Sequence, residues 1–179
     1  MRRLTYLHDR AVEPIRIIGG AQTRGIIHRP ADNDQPGAEF SRPKTTLRVL
    51  ASSIVYTGQV IQTRADERYL VADHSRTVDY ITYHLFETDR QITWERETFR
   101  VNPVSKQKQS LGRQPVQASP IWVMWERARR EFMDLNVRIA QETYLLATGE
   151  NIQLGDFLDG KVVKRVSNAL GIKVVELQG

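Results

Sequence analysis

From Thr45 to about Thr98 the chain reads as one short β-type run after another, and no other feature constrains the fold as much. Leu47, Val49 and Ala51 alternate with Arg48 and Leu50, the period-two signature of a strand. The runs 59–63 and 68–72 flank the polar step Arg64-Ala65-Asp66-Glu67, which predicts a hairpin. Tyr80 to Phe86 is rich in aromatic and β-branched residues, and beyond Glu87-Thr88-Asp89 the chain returns through Gln91 to Glu95. Several short strands at this interval predict a small barrel or sandwich. Its expected core is Val60, Ile61, Tyr69, Val71, Ile81, Tyr83 and Leu85.

The flanks complete a mainly β expectation. Ile15, Ile17 and Ile18 run into Gly19-Gly20, and Gly25 to His28 follows, so a first hairpin is expected. Residues 29–44 hold turn and breaker residues with no periodic apolar face and read as a long loop. The expected organisation is an N-terminal hairpin and extended loop over 1–44 and a β-barrel core over 45–101. A basic loop over 102–118 follows, and then a helix plus C-terminal strands over 119–179, packed on the same domain. The helix is an amphipathic one: Ser119 can cap it and Pro120 suits its first position. Ile121, Trp125, Ala128 and Phe132 then recur at helical spacing, Leu135 closes the stripe and Asn136 ends it. Ile139 to Leu146, Val162 to Val166 and Ile172 to Leu177 return to strand character, with Asp159-Gly160 as a hairpin signal; a C-terminal β-hairpin region is expected.

A length of 179 residues suits one domain or two small ones. No apolar run approaches the ~20 residues of a membrane-spanning helix, so an integral membrane protein is not expected. The basic start Met1-Arg2-Arg3 is followed by no apolar run, so no secretory signal is expected either. Without cysteine the chain has no disulfide and no thiolate metal site, in keeping with a reducing cytoplasm. The net charge of +5 comes from 26 basic and 21 acidic residues, and arginine dominates the bases. Its distribution says more than its total. No Asp or Glu occurs between Glu97 and Glu126, while Arg100, Lys106, Lys108 and Arg113 fall in that gap. Lys106, Lys108 and Arg113 are therefore the candidates to face nucleic acid or an acidic partner. No aromatic residue is interleaved with them, which argues against a stacking platform for single strands.

Signs of catalysis are missing: there is no Gly-x-Ser-x-Gly elbow, phosphate-binding loop or His-Glu-x-x-His helix. Asp73, His74 and Asp79 lie close in sequence, but without repeated ligand spacing they read better as a polar strand end bonding its own turn. No enzyme activity, cofactor or metal is expected. Trp122 stands one notch off the apolar stripe of the predicted helix and is the candidate interface anchor.

The run Tyr56-Thr57-Gly58-Gln59-Val60-Ile61-Gln62, followed by Glu67-Arg68-Tyr69-Leu70-Val71-Ala72-Asp73-His74, resembles head-closure (stopper) and related head–tail connector proteins of tailed bacteriophages. In those neck proteins a barrel strand enters through a polar-glycine step, and the return strand of a short hairpin reads Arg/Lys-Tyr-Leu-Val. The resemblance covers residues 50–90. It implies a structural virion protein made in the host bacterial cytoplasm. Such a protein forms a homo-oligomeric ring of roughly twelve or six copies, stacked between portal or adaptor and tail proteins, with genomic DNA held without sequence preference in the lumen. The alternative is a free, non-sequence-specific nucleic-acid-binding barrel, whose isolated monomer would bind in a salt-dependent manner.

Overall fold

Alternation of apolar and polar residues builds the first set of strands. The computed structural model describes residues 12–29, 45–88, 90–116, 118–134 and 137–178, with the backbone alone over 126–145. β1 (Glu13–Ile17) and β2 (Gln22–His28) form an antiparallel hairpin with Ile15 opposite Thr23. β3 (Thr46–Leu50) pairs with β2 and with β6 (Tyr80–Glu87). β6 in turn pairs with β5 (Arg68–Arg76), and β5 with β4 (Val60–Gln62). β4 pairs back onto β1 through Arg16–Gln62 and Ile17–Ile61, so the order β1-β2-β3-β6-β5-β4 closes into a barrel. Closure leaves this sheet without a terminal strand.

The barrel interior holds Ile15, Ile17, Leu47, Val49, Val55, Ile61, Tyr69, Val71, Ile81, Tyr83 and Leu85. Six of the seven residues expected in the core are there, and Val60 is half-buried. Gly25 on β2 makes room for the packing: a Cβ at this position would stand 2.7 Å from Leu47 Cδ1 and 2.9 Å from Val49 Cγ1. Tyr83 is buried with its hydroxyl satisfied, donating to the Val55 carbonyl at 2.6 Å, and burial raises its phenol pKa.

A second set forms an open sheet in the order β7-β10-β11-β14-β13-β12-β8-β9. Its strands are β7 (Arg90–Ile92), β8 (Trp94–Val101), β9 (Lys108–Pro115), β10 (Ile121–Asp134), β11 (Val137–Thr148), β12 (Phe157–Leu158), β13 (Lys161–Ala169) and β14 (Ile172–Gln178). One face packs Ile92, Trp94, Ile121, Val123, Leu146, Ile152, Leu158, Val163, Val175 and Leu177. Asp159 and Gly160, both at positive φ, turn β12 into β13; Leu170 and Gly171, also at positive φ, connect β13 to β14. The chain accordingly divides into two compact units, Met1–Thr88 with Ala169–Ile172 and Asp89–Asn168 with Lys173–Gly179.

Three expectations are corrected. The boundaries at 44/45 and 101/102 do not hold: β1 and β2 are barrel strands, and from β7 onward the chain belongs to the open sheet. Residues 102–118 are not a loop throughout, because 108–115 form β9, paired along β8 from Val101–Lys108 to Glu95–Pro115. Its Gln, Ser and Lys side chains are exposed on both faces, so no hydrophobic alternation marks it. The stretch 121–134 is strand and not helix. Ile121 and Val123 are buried and Trp125 packs against the same core, which is also period two, and β10 pairs with β11 from Met124–Ala147 to Asp134–Val137. Ser119, the expected cap, instead accepts the Trp94 N–H at 2.9 Å. Tertiary pairing overrode a short helical period that β-branched and aromatic residues support weakly. The expected loop 29–44 lies outside the described residues beyond Arg29, as do Leu135 and Asn136.

Candidate functional site

β8 and β9 extend as a two-stranded arm at one edge of the open sheet, with β9 as the terminal strand. The root of the arm is firmly seated. Trp94 is buried, and its indole N–H donates to Asp156 Oδ2 at 2.9 Å. Arg96 grips the same carboxylate as a fork, Nε to Oδ1 at 2.6 Å and Nη2 to Oδ2 at 2.8 Å, and the Gln153 N–H donates to it at 2.9 Å. Burial by itself raises the Asp156 pKa. The bonds from Arg96, Gln153 and Trp94 outweigh it, and the carboxyl lies below its ordinary value. The Arg113 guanidinium lies 3.6 Å from the centre of the Phe157 ring, a cation–π contact that reaches from β9 across β8 to β12.

Beyond Glu97 the arm is bare. All eight residues of β9 are exposed. Phe99, Val101, Val104 and Leu111 are 52%, 50%, 89% and 56% exposed, and all four lie on this one arm. By register, Phe99 and Val101 share a face with Ser110 and Lys108. A bulge interrupts the ladder between Thr98 and Phe99, opposite Gly112, whose φ of 86° suits glycine. Asn102 shapes the tip: its Oδ1 accepts the N–H groups of Val104 at 2.9 Å and Ser105 at 3.2 Å, and its carbonyl accepts the Lys106 N–H at 2.9 Å. Ser110 donates its hydroxyl to Glu97 Oε1 at 2.6 Å.

The three candidate cations therefore occupy different places. Lys106 sits in the tip turn at a φ of 57°, and Lys108 opens β9 beside Val101; both are exposed. Arg113 lies nearer the root, opposite Glu97 and over Phe157. Trp122 is half-buried on β10, opposite Gln91 of the edge strand β7, on the face away from Ile121 and Val123. The exposed apolar residues of the arm escaped the sequence reading: Phe99 and Val101 alternate with Arg100, but they fall on the face opposite Trp94 and so break the period that begins β8.

No known protein family, curated protein or solved structure matches this chain. Among the described residues no cluster of three or more His, Asp or Glu could hold a metal ion. Asp73 accepts its neighbour's amide, His74 N–H to Oδ1 at 2.8 Å, and the His74 ring packs 5.3 Å from Tyr83. No helix among the described residues is long and apolar enough to cross a membrane.

Proposed function

We propose that this chain is a structural assembly protein whose arm docks on a neighbouring subunit. In the form that the resemblance of residues 50–90 implies, it is a ring component of the tailed-phage neck between portal and tail. The observation that carries the assembly reading is the β8–β9 arm, which displays Phe99, Val101, Val104 and Leu111 to solvent beside an open strand edge. Apolar side chains on a free ribbon lose water contact only when a partner covers them, and an open edge supplies backbone donors and acceptors for a partner strand. Lys106 and Lys108 put positive charge at the outer end of the arm, toward an acidic ring neighbour or lumen DNA, and Arg113 adds a third cation near its root. The acid-free stretch from Thr98 to Trp125 also favours the second reading, a free nucleic-acid-binding barrel.

The test is the triple variant Phe99→Ser/Val101→Ser/Leu111→Ser. Because these side chains are already exposed, the subunit is expected to keep its unfolding midpoint within a few tenths of a kcal/mol of stability, the ~0.5 kcal/mol band of surface changes. It is expected to lose self-association in sedimentation and incorporation into particles. A variant that assembles as the parent does removes the arm from assembly. A parent that is monomeric at every concentration and binds duplex DNA steeply as salt falls moves the assignment to the second reading.

A further inference from the structure

The outer wall of the barrel carries a cation pattern that only the strand register reveals. Gln22, Arg24 and Ile26 are successive outward positions on β2. Arg16 of β1 stands opposite Gln22, and Arg48 of β3 stands opposite Ile26. Arg16, Arg24 and Arg48 thus lie on one diagonal across three adjacent strands, and all three are exposed. The next position on that diagonal, across β3 onto β6, is His84, opposite Thr46. Each diagonal step between neighbouring strands is about 7–8 Å, close to the distance between consecutive phosphates along one DNA strand.

None of the three arginines has an ion-pair partner among the described residues. The nearby carboxylates are engaged elsewhere. Glu13 pairs with Arg29 at 3.5 Å, Glu67 also pairs with Arg29, and Asp66 pairs with Arg68 at 3.1 Å. The positions that flank the line, Pro14, Gln22, Ile26, Thr46, Leu50 and Thr82, include no acid to repel a polyanion. Tyr80, opposite Leu50 and diagonal to Arg48, stands at one end of the line, and no Phe, Tyr or Trp separates the three arginines along it. Guanidinium groups pair bidentately with phosphate, and a row of them at phosphate spacing fits a regular backbone better than an irregular acidic protein surface.

We propose that this wall of the barrel, formed by β1, β2 and β3, binds the phosphate backbone of duplex DNA without reading sequence, through Arg16, Arg24 and Arg48. This goes beyond the connector reading, which puts DNA contact on the arm, and its test does not pass through assembly. The experiment is fluorescence anisotropy of a short labelled duplex of mixed sequence, titrated with the full chain over a series of salt concentrations. The variants are Arg16→Gln/Arg24→Gln/Arg48→Gln and the single change Arg24→Gln.

For the parent chain, affinity should fall linearly with salt on a log–log plot. The triple variant should lose about 2.7 from that slope and the single variant about 0.9, one phosphate contact per arginine. Far-UV circular dichroism should be unchanged, because the three side chains are solvent-exposed. Lys106→Gln/Lys108→Gln, on the arm, should leave the loss caused by the barrel variant intact. Three results would overturn the proposal: no duplex binding by the parent at low salt, a parental slope in the triple variant, or competition by poly-glutamate as effective as that by DNA at equal charge.

Discussion

A single carboxylate shows how much one residue holds here. The Asp156 side chain is 2% exposed and accepts bonds from Arg96, Trp94 and Gln153. Its folded pKa lies below the ordinary carboxylate value. The stability it contributes is therefore complete above the ordinary carboxylate pKa and is lost as pH falls through the folded pKa. Urea unfolding of Asp156→Asn, followed from neutral to acid pH, should show a lower plateau at neutral pH and a weaker acid-side decline than the parent. Asp156→Ala should cost near the lower end of about 3–5 kcal/mol, because Arg96 keeps access to water and is not left fully buried. An unchanged midpoint would show that the carboxylate contributes nothing net. Gly25 is the steric counterpart. Gly25→Ala puts a methyl group 2.7 Å from Leu47 Cδ1, and an overpacked core site of this kind costs about 1–3 kcal/mol. Thermal unfolding checks it, and Gly25→Val should be worse.

At the scale of elements, the arm and the β10–β11 ribbon share one property. β10 and β11 pair with each other out to Asp134–Val137, whereas β7 supports β10 only over Ile121–Val123 and β14 supports β11 only over Thr143–Thr148. Among the described residues, both are ribbons whose outer ends have only their own partner strand, and a lone ribbon is marginally stable in water. In the arm, Gly112 sets the bulge that re-aligns the ladder. Nothing lies within 4 Å of a Cβ built there, so Gly112→Ala is opposed only by its positive φ, a cost of about 1–2 kcal/mol. Hydrogen exchange should show faster amides across 98–113 with little change in the global midpoint. Uniform protection across the arm would show that the bulge is dispensable.

For the whole molecule, the number of closed and open surfaces matters more than the number of strands. A closed barrel has no terminal strand to offer, and its outer wall can be charged without cost to the core. The open sheet ends in β9 and β7 and keeps edges. Assembly and polyanion binding, as proposed, fall on these two kinds of surface, and their tests read different variants.

The sequence by itself determined the local elements whose periodicity was clean. It indicated β4, the first half of β5 and β6 from alternation, the turns from Asp-Gly and polar steps, and the barrel core from Ile61, Tyr69, Val71, Ile81, Tyr83 and Leu85. Each rests on interactions between near neighbours in the chain. The tertiary structure alone decided that β1 and β2 complete the barrel through β4, and that 121–134 is strand because β11 pairs along it. It also decided that a polar, unpatterned stretch becomes β9 against β8, and that arginines 16, 24 and 48 fall on one diagonal. Register is a property of pairs of strands. β1 meets β4, and β3 meets β6, across long stretches of sequence, while β8–β9 and β10–β11 are hairpins in which at least one strand lacks a clean period of its own.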